Sequence, residues 1–380
     1  MTEKLYYKNA YIKEFTANVL SVEYHEPYYY TVLDRTAFFP EEGGQSADTG
    51  KLGEAFVTDV KEKNGVIYHL CDKALKIGSE ICGFIDFASR YDKMKQHTAE
   101  HIISGIIKSQ FGYSNVGFHL GKDEVTCDFD GLLSREELDR VEDLANEAVQ
   151  QNIAVVASFP EPGVLSELEY RSKLNLTENV RIVEIAGIDR CACCAPHVNS
   201  TGELGIIKIL DFVKWRGGIR MTIASGERAL LDYRKKSEEI KAISVLLSSP
   251  KNEVDKVVWD LKSAYESEKV KSKEYLYRIA RLEAEKVKAT DENAVCLLNE
   301  FTIDALIEFS NSAILKVGGI LVAITGEDGA YKYVISSRNI DLKRMIKDIN
   351  SALLGKGGGN SGMVQGSFAC SLESIIEFFN

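Results

Sequence analysis

In His97-Thr-Ala-Glu-His101 two histidines stand four residues apart in a stretch of helical composition, so both imidazoles share one face and can hold one metal ion. Roughly ninety residues downstream, Cys193-Cys-Ala-Pro-His197 adds a thiol and another imidazole, so two short segments hold three of the chain's six histidines. His97, His101, Cys193 and His197 suit tetrahedral Zn2+. A zinc ion with an open position lowers the pKa of bound water to about 7, whereas four protein ligands make a closed structural site. Both readings stand at this level: a displaced ligand or an expanded coordination shell permits hydrolysis, and otherwise the metal only holds the site together. Cys191 and Cys194 flank the ligand segment, either as substitutes in the ligand count or as small buried thiols.

A second cluster precedes the histidines. Thr36-Ala-Phe-Phe-Pro-Glu-Glu-Gly-Gly-Gln45 runs from a strand into a loop where Gly43 and Gly44 let the backbone approach a ligand closely. Thr36 and Gln45 could then hydrogen-bond a small polar substrate. Read in isolation, the double glycine near Pro40 is simply a turn signal.

The chain that must position these groups has 380 residues, 45% of them hydrophobic, and a formal net charge of -11, the profile of an ordinary globular protein of two or three domains. No signal-peptide core and no run of about 20 apolar residues occurs, which predicts a cytoplasmic protein without membrane association, its eight cysteines reduced. The acidic balance argues against indiscriminate nucleic-acid binding. Positive charge still gathers locally, with eight Lys/Arg against three Asp/Glu between Gly205 and Lys236, and six against two between Tyr331 and Gly359.

Short runs rich in Val, Tyr, Phe and Thr, at Tyr28 to Leu33, Phe56 to Val60 and Val66 to Leu70, predict an N-terminal antiparallel β-barrel or curled sheet over residues 1–88, with an Asn64-Gly65 hairpin turn. Residues 89–236 mix signals: a helix near Ser89 carrying the paired histidines, a helix over Glu136 to Gln151, and strands at Gly205 to Leu210 and Ile219 to Ala224. Residues 237–290 read as a helical linker, broken at Ser248-Ser249-Pro250. In it Val254, Val258, Leu261 and Tyr265, then Tyr275, Ile279 and Leu282, follow the spacing of a coiled-coil seam. Residues 291–380 form a small α/β domain with strands near Ile320 to Thr325 and Lys332 to Ser336 and a glycine-rich run from Gly355 to Gly366. The class is α+β.

Together these motifs resemble the editing portion of alanyl-tRNA synthetases and their freestanding relatives, the AlaX-type alanyl-tRNA editing proteins. Thr36 to Gly50 resembles the family's glycine-rich loop ending in Asp-x-Gly. Arg90 to His101 resembles its histidine helix, Cys193 to Gly205 its Cys-x-x-x-His segment followed by Thr-Gly-Glu, and Gly218 to Gly226 the strand beyond. Gly355 to Gly366 is similar to the glycine signature of the synthetases' C-terminal tRNA-binding and dimerising domain, so the resemblance spans nearly the whole chain, in the layout of the family's long form.

The resemblance implies hydrolysis of alanine tRNA mischarged with serine or glycine, with zinc beside the scissile ester and Ala-tRNA spared. Thr36 would sense the serine hydroxyl, since a site built to hydrogen-bond that group discriminates strongly. Gln45 would orient the aminoacyl end, Gly43 and Gly44 would pass close to the substrate, and Arg220 would meet acceptor-stem phosphates. A homodimer is implied as well. Two departures bear on the choice among serine, glycine and alanine: Glu42 stands where the family commonly has a glycine, and Cys194-Ala-Pro replaces Gly-Gly-Thr. The strand pattern starts at the first residues, leaving no aminoacylation domain ahead of it, and no Walker motif occurs, so no ATP chemistry is expected. Two other functions compete: a tRNA-binding or dimerisation protein with structural zinc, and a metallopeptidase in which His97-x-x-Glu100-His101 supplies Glu100 as base.

Overall fold

A computed structural model describes residues 2–122, 124–172 and 180–380, and the chain divides into two compact units, residues 1–239 and 240–380. These units are coarser than the four-part division read from the sequence. The mixed α+β class holds.

Apart from the short segments Glu3–Lys4, Leu5–Lys8 and Arg35–Thr36, the first part of unit one is a sheet of six strands: β1 (Glu14–His25), β2 (Tyr28–Leu33), β3 (Gly50–Leu52), β4 (Ala55–Lys63), β5 (Val66–Cys71) and β6 (Glu80–Ile85). They pair in the order β1-β2-β5-β4-β3-β6, and β6 returns to β1. Alternation sets the buried face: Phe15, Ala17 and Val19 point in while Glu14, Thr16 and Asn18 face out. Asn64 and Gly65 both have positive φ, 55° and 73°, the turn that joins β4 to β5.

Helix α1 (Phe87–Phe111) follows. The Asp86 side chain caps its first turn by accepting from Ser89 N, and Gly112 ends it at φ 76°. Every residue from Gln96 to Ile107 is buried, so this helix is enclosed on all sides, as the core of a unit must be. Enclosing it are β7 (Asn115–Leu120), β8 (Val125–Phe129), α2 (Arg135–Gln150), β9 (Val155–Ser158), β10 (Ile182–Ile185), β11 (Asp189–Ala192), β12 (Ile207–Trp215) and β13 (Gly218–Ser225). The strands form two antiparallel sheets, β12-β13-β8-β7 and β9-β10-β11. Met94, Ile102, Ile103 and Ile107 of α1 share one core cluster with Val141 of α2 and with Ile209 and Ile223 of the larger sheet.

Helix α3 (Glu227–Leu246) is separated from α4 (Val254–Lys286) by the break at Pro250. In the second unit α4 leads to β14 (Ala294–Leu297), α5 (Ile303–Ala313), β15 (Leu321–Thr325), β16 (Tyr331–Ser336), α6 (Leu342–Ala352), β17 (Gly355–Gly359), β18 (Met363–Phe368) and α7 (Leu372–Phe379). One five-stranded sheet, ordered β14-β15-β16-β18-β17, carries the core. The glycine-rich run is therefore an antiparallel strand pair, not a loop. Helix α4 docks through Ala280 and Ala284 against Leu306 and Phe309 of α5, whereas its seam residues Val258, Leu261, Tyr265, Tyr275, Ile279 and Leu282 remain exposed. Among the described residues no helix is long and apolar enough to cross a membrane.

Candidate metal centre

Helix α1 sets the histidine pair: His97 and His101, one turn apart, lie with ring centroids 5.4 Å apart, both buried. The other two groups come from the segment leaving β11. Arg181, just ahead of β10, reaches across with Nη1 donating to Cys193 O (3.0 Å) and Ala195 O (2.8 Å), which folds Cys193 to His197 into a fixed turn. Cys193 Sγ then stands 3.6 Å from His97 Nε2 and 3.3 Å from His197 Nε2. The four candidate ligand atoms of His97, His101, Cys193 and His197 all lie within 4.8 Å of one another.

The spacing fits a zinc ion. Bonds of about 2.3 Å to thiolate and 2.0–2.1 Å to imidazole give a tetrahedral S···N edge of about 3.6 Å, close to the two distances here. Each imidazole is also oriented from behind, as ligand histidines require. His97 Nδ1 donates to Gln45 Oε1 (3.0 Å). His197 Nδ1 donates to Thr98 Oγ1 (3.0 Å), whose own proton is committed to Met94 O (2.8 Å). His101 Nδ1 lies 3.0 Å from Asp189 Oδ2, off the line of a straight hydrogen bond, and Asp189 is gripped by Arg171 at 2.6 and 2.8 Å. All three histidines thereby turn Nε2 toward the thiol.

Electrostatics prepare two of the four groups, His197 and Cys193, for a metal. Burial pushes His197 down to about 3, keeping its imidazole neutral. Burial alone would raise the Cys193 thiol, but the surrounding imidazoles, His97 first and the hydrogen-bonding His101 with it, outweigh burial and hold it well below its ordinary value, the thiolate character a metal ligand needs. Burial opposes protonation of His101, yet Cys191 and Asp189 pull it well above its usual range, so a metal bound here must displace a proton from this imidazole.

His97, His101 and Cys193 line a cavity of about 1230 Å³ that Glu100, Gly43 and Cys194 also border. Gly43 sits where an added Cβ would touch Cys194 Sγ at 3.4 Å. Gly44, at φ 81°, passes so close to β7 that a Cβ would lie 2.6 Å from Phe118 O. The loop can thus reach the ligands only with glycine there.

The structure brings His97, His101, Cys193, His197, Gln45 and Gly43 together, with Gly44 against β7 alongside them, but not Thr36 or Arg220. Gln45 is fully buried behind His97, accepts from its imidazole and does not line the cavity. Thr36 lies in the core of the first six strands. Its hydroxyl donates to His69 Nε2 (2.8 Å), because His69 Nδ1 is engaged with Thr31 O, and it accepts from Phe38 N. Arg220 is paired with Asp128 at 2.6 and 2.7 Å and stacked 4.1 Å above the Trp215 ring, away from the cavity. Cys191 belongs to a neighbouring group with His101 and Asp189. Sequence reasoning missed Thr98, Arg181, Asp189 and Arg171. Thr98 alone left a signal, a hydroxyl between the two histidines.

Known proteins match this chain along its whole length. A family model described as "Threonyl and Alanyl tRNA synthetase second additional domain" matches residues 180–229, and one for class II (A) tRNA synthetases matches residues 2–89. The alanyl-tRNA editing protein AlaX-L of Pyrococcus horikoshii is 28% identical over 99% of this chain and 97% of its own. AlaX-M of Methanosarcina barkeri is 37% identical over 55% of this chain and 93% of its own. The alanine–tRNA ligase of Methanococcus vannielii is 30% identical over 99% of this chain, which spans 43% of the ligase.

Proposed function

Because the chain belongs to the AlaX family of alanyl-tRNA editing proteins, we propose that it is a trans-acting deacylase that removes serine or glycine from mischarged alanine tRNA at a zinc centre. The observation that carries this reading is the convergence of His97, His101, Cys193 and His197, the first three of which line a cavity of about 1230 Å³. A closed structural site needs no such cavity; a hydrolase must admit an ester.

His97, His101, Cys193 and His197 would hold the metal. When bound, zinc would polarise the ester carbonyl and favour its attack by water. The chain's own groups do the rest: Gln45, Thr98 and Asp189 would orient the imidazoles, Arg181 holds the Cys193 turn, and the Gly43 backbone borders one wall. Thr36 would act only through the strand and loop that it anchors. Arg220 with Trp215 would serve as an outer contact for phosphate or base. The exposed seam of α4 would pair two copies, and the second unit would contribute tRNA binding.

Release of serine, glycine and alanine from the correspondingly charged alanine tRNA tests the proposal, using zinc-loaded protein beside His97→Ala and His101→Ala. Fast release of serine or glycine, slow release of alanine and loss in both variants is the expected result. The four-ligand set itself supports a second reading, a tRNA-binding protein with structural zinc. Retained tRNA binding without release of any amino acid would favour it.

A further inference from the structure

Glu100 is 4% exposed and borders the cavity, yet no step above employs it. Its carboxylate is hydrogen-bonded from one side only, with the Arg171 guanidinium on the same wall near enough for their charges to interact. Oε1 accepts from Ser104 Oγ (2.6 Å) and Asn115 Nδ2 (2.8 Å), whereas Oε2 points toward the ligand cluster, 3.8 Å from His101 Nε2. Among the described residues nothing donates a hydrogen bond to Oε2. Asn115, which also borders the cavity, spends its amide nitrogen on Glu100 and on Ser104 Oγ (3.1 Å), and this orientation leaves its buried Oδ1 without a partner. An orphaned buried acceptor of this kind is destabilising until a donor reaches it.

The other acidic residues on the wall are differently placed. Asp189 is bound by Arg171, Glu42 is exposed and engages the Cys194 thiol, and Glu169 is exposed. Two acceptors beside the ligand cluster, one a carboxylate oxygen, form a receptor for a small cation with several N–H donors. An aminoacyl ester carries one such group, its α-ammonium, a single carbon from the carbonyl that must lie near the metal ligands.

We infer that Glu100 Oε2, seconded by Asn115 Oδ1, receives the α-ammonium of the aminoacyl ester and so restricts the site to esters with a free amine. This rests on the deacylase reading above. It makes Glu100 a substrate-binding residue that positions the ester.

The test compares seryl-tRNA with N-acetylseryl-tRNA, the same ester without the ammonium, on full-length zinc-loaded protein. The wild type is expected to hydrolyse the free-amine ester at least tenfold more efficiently. Glu100→Gln, which keeps the acceptor toward Ser104 and Asn115 but loses the charge, is expected to raise KM for the free-amine ester by about 10- to 100-fold. Its preference over the acetylated ester should then collapse, with zinc content unchanged. Equal wild-type efficiency on both esters would overturn the inference even if the variant failed to fold. So would a Glu100→Gln defect confined to kcat and equal for both esters, which would place the residue in the chemical step. Failure of the wild type to hydrolyse either ester would instead sink the deacylase reading, and the inference with it.

Discussion

Arg90 and Asp48 form a fully buried ion pair, with Arg90 Nε 2.9 and 2.8 Å from the two carboxylate oxygens. The same guanidinium donates to Ala37 O and Ala10 O, and Asp48 also accepts from Phe39 N. One residue of the histidine helix thereby grips both ends of the segment carrying Gly43, Gly44 and Gln45. Breaking a buried pair from one side leaves a charge uncompensated, at about 3–5 kcal/mol. Asp48→Asn should therefore lower unfolding stability in urea by several kcal/mol, and Arg90→Lys should also fail because an ammonium cannot replace the fork. A loss under about 1 kcal/mol would show that the loop is held by other contacts.

Gly105 lies two turns beyond His97 on α1, where a Cβ would meet Ile188 O at 2.3 Å and Asp189 Cβ at 2.8 Å. Only glycine lets β11 approach near enough for Asp189 to reach His101. Gly105→Ala should push the strand away, weaken zinc binding by about 10- to 100-fold, and lower stability as an overpacked core does, by about 1–3 kcal/mol. Competition with a chelator measures the first effect and urea unfolding the second. Unaltered zinc affinity would mean that Asp189 does not govern His101.

Thr98→Val preserves shape but removes the acceptor that orients His197. The expected outcome is weaker zinc binding, again by about 10- to 100-fold, with His97 and His101 intact. Zinc affinity equal to that of the wild type would mean that His197 does not need Thr98 to present Nε2.

Glu203 accepts from Tyr11 and Tyr91 hydroxyls and from Asn199 and Ser200 N. Burial would raise its carboxyl, but these donors prevail and hold it below its ordinary value of 4.5. Because the folded-state value is depressed, the stabilisation is present above about pH 4.5 and is lost as pH falls through the lowered value. Tyr91 moves the other way, pushed up to about 12 by burial and by Glu203, so its contribution is present below pH 10 and lost as pH rises toward 12. Urea unfolding of Glu203→Gln against wild type should show a gap at pH 7 that narrows toward pH 3. A gap independent of pH would remove the ionised carboxylate as its cause.

Much of this centre was legible in the chain, because i, i+4 histidines on a helix and a Cys-x-x-x-His segment constrain geometry through local spacing. The strands of the first unit were legible for a similar reason, their period of two. What could not be read was the set of contacts made by approach between distant segments: Thr98 with His197, His101 with Asp189, Arg181 with the Cys193 turn. Thr36 shows the cost of reading a motif linearly. Its place beside the glycine loop suggested a substrate contact, and what the chain could not show is that a neighbouring strand brings in His69, neutral because burial pushes it down to about 4, whose Nε2 accepts the hydroxyl's hydrogen bond. The Gly355 to Gly366 run likewise hid two strands, since glycine carries no alternating pattern to see.

Glu42 and Cys194, two of the three positions at which the resemblance implies glycine, meet on the cavity wall. The Cys194 thiol is pushed up by burial, by the neighbouring Cys193 and by its hydrogen bond to Glu42, so it stays protonated as a donor. Each departure thus supports the other, and neither should be reversible alone. Glu42→Gly leaves the thiol without its acceptor, Cys194→Gly leaves the carboxylate without its donor, and the double variant removes both. Residues in contact of this kind couple by about 0.5–3 kcal/mol. The ratio of serine to glycine release should therefore shift in each single variant and return part of the way in the double. Strict additivity would show that the two residues act on substrate choice separately, or not at all.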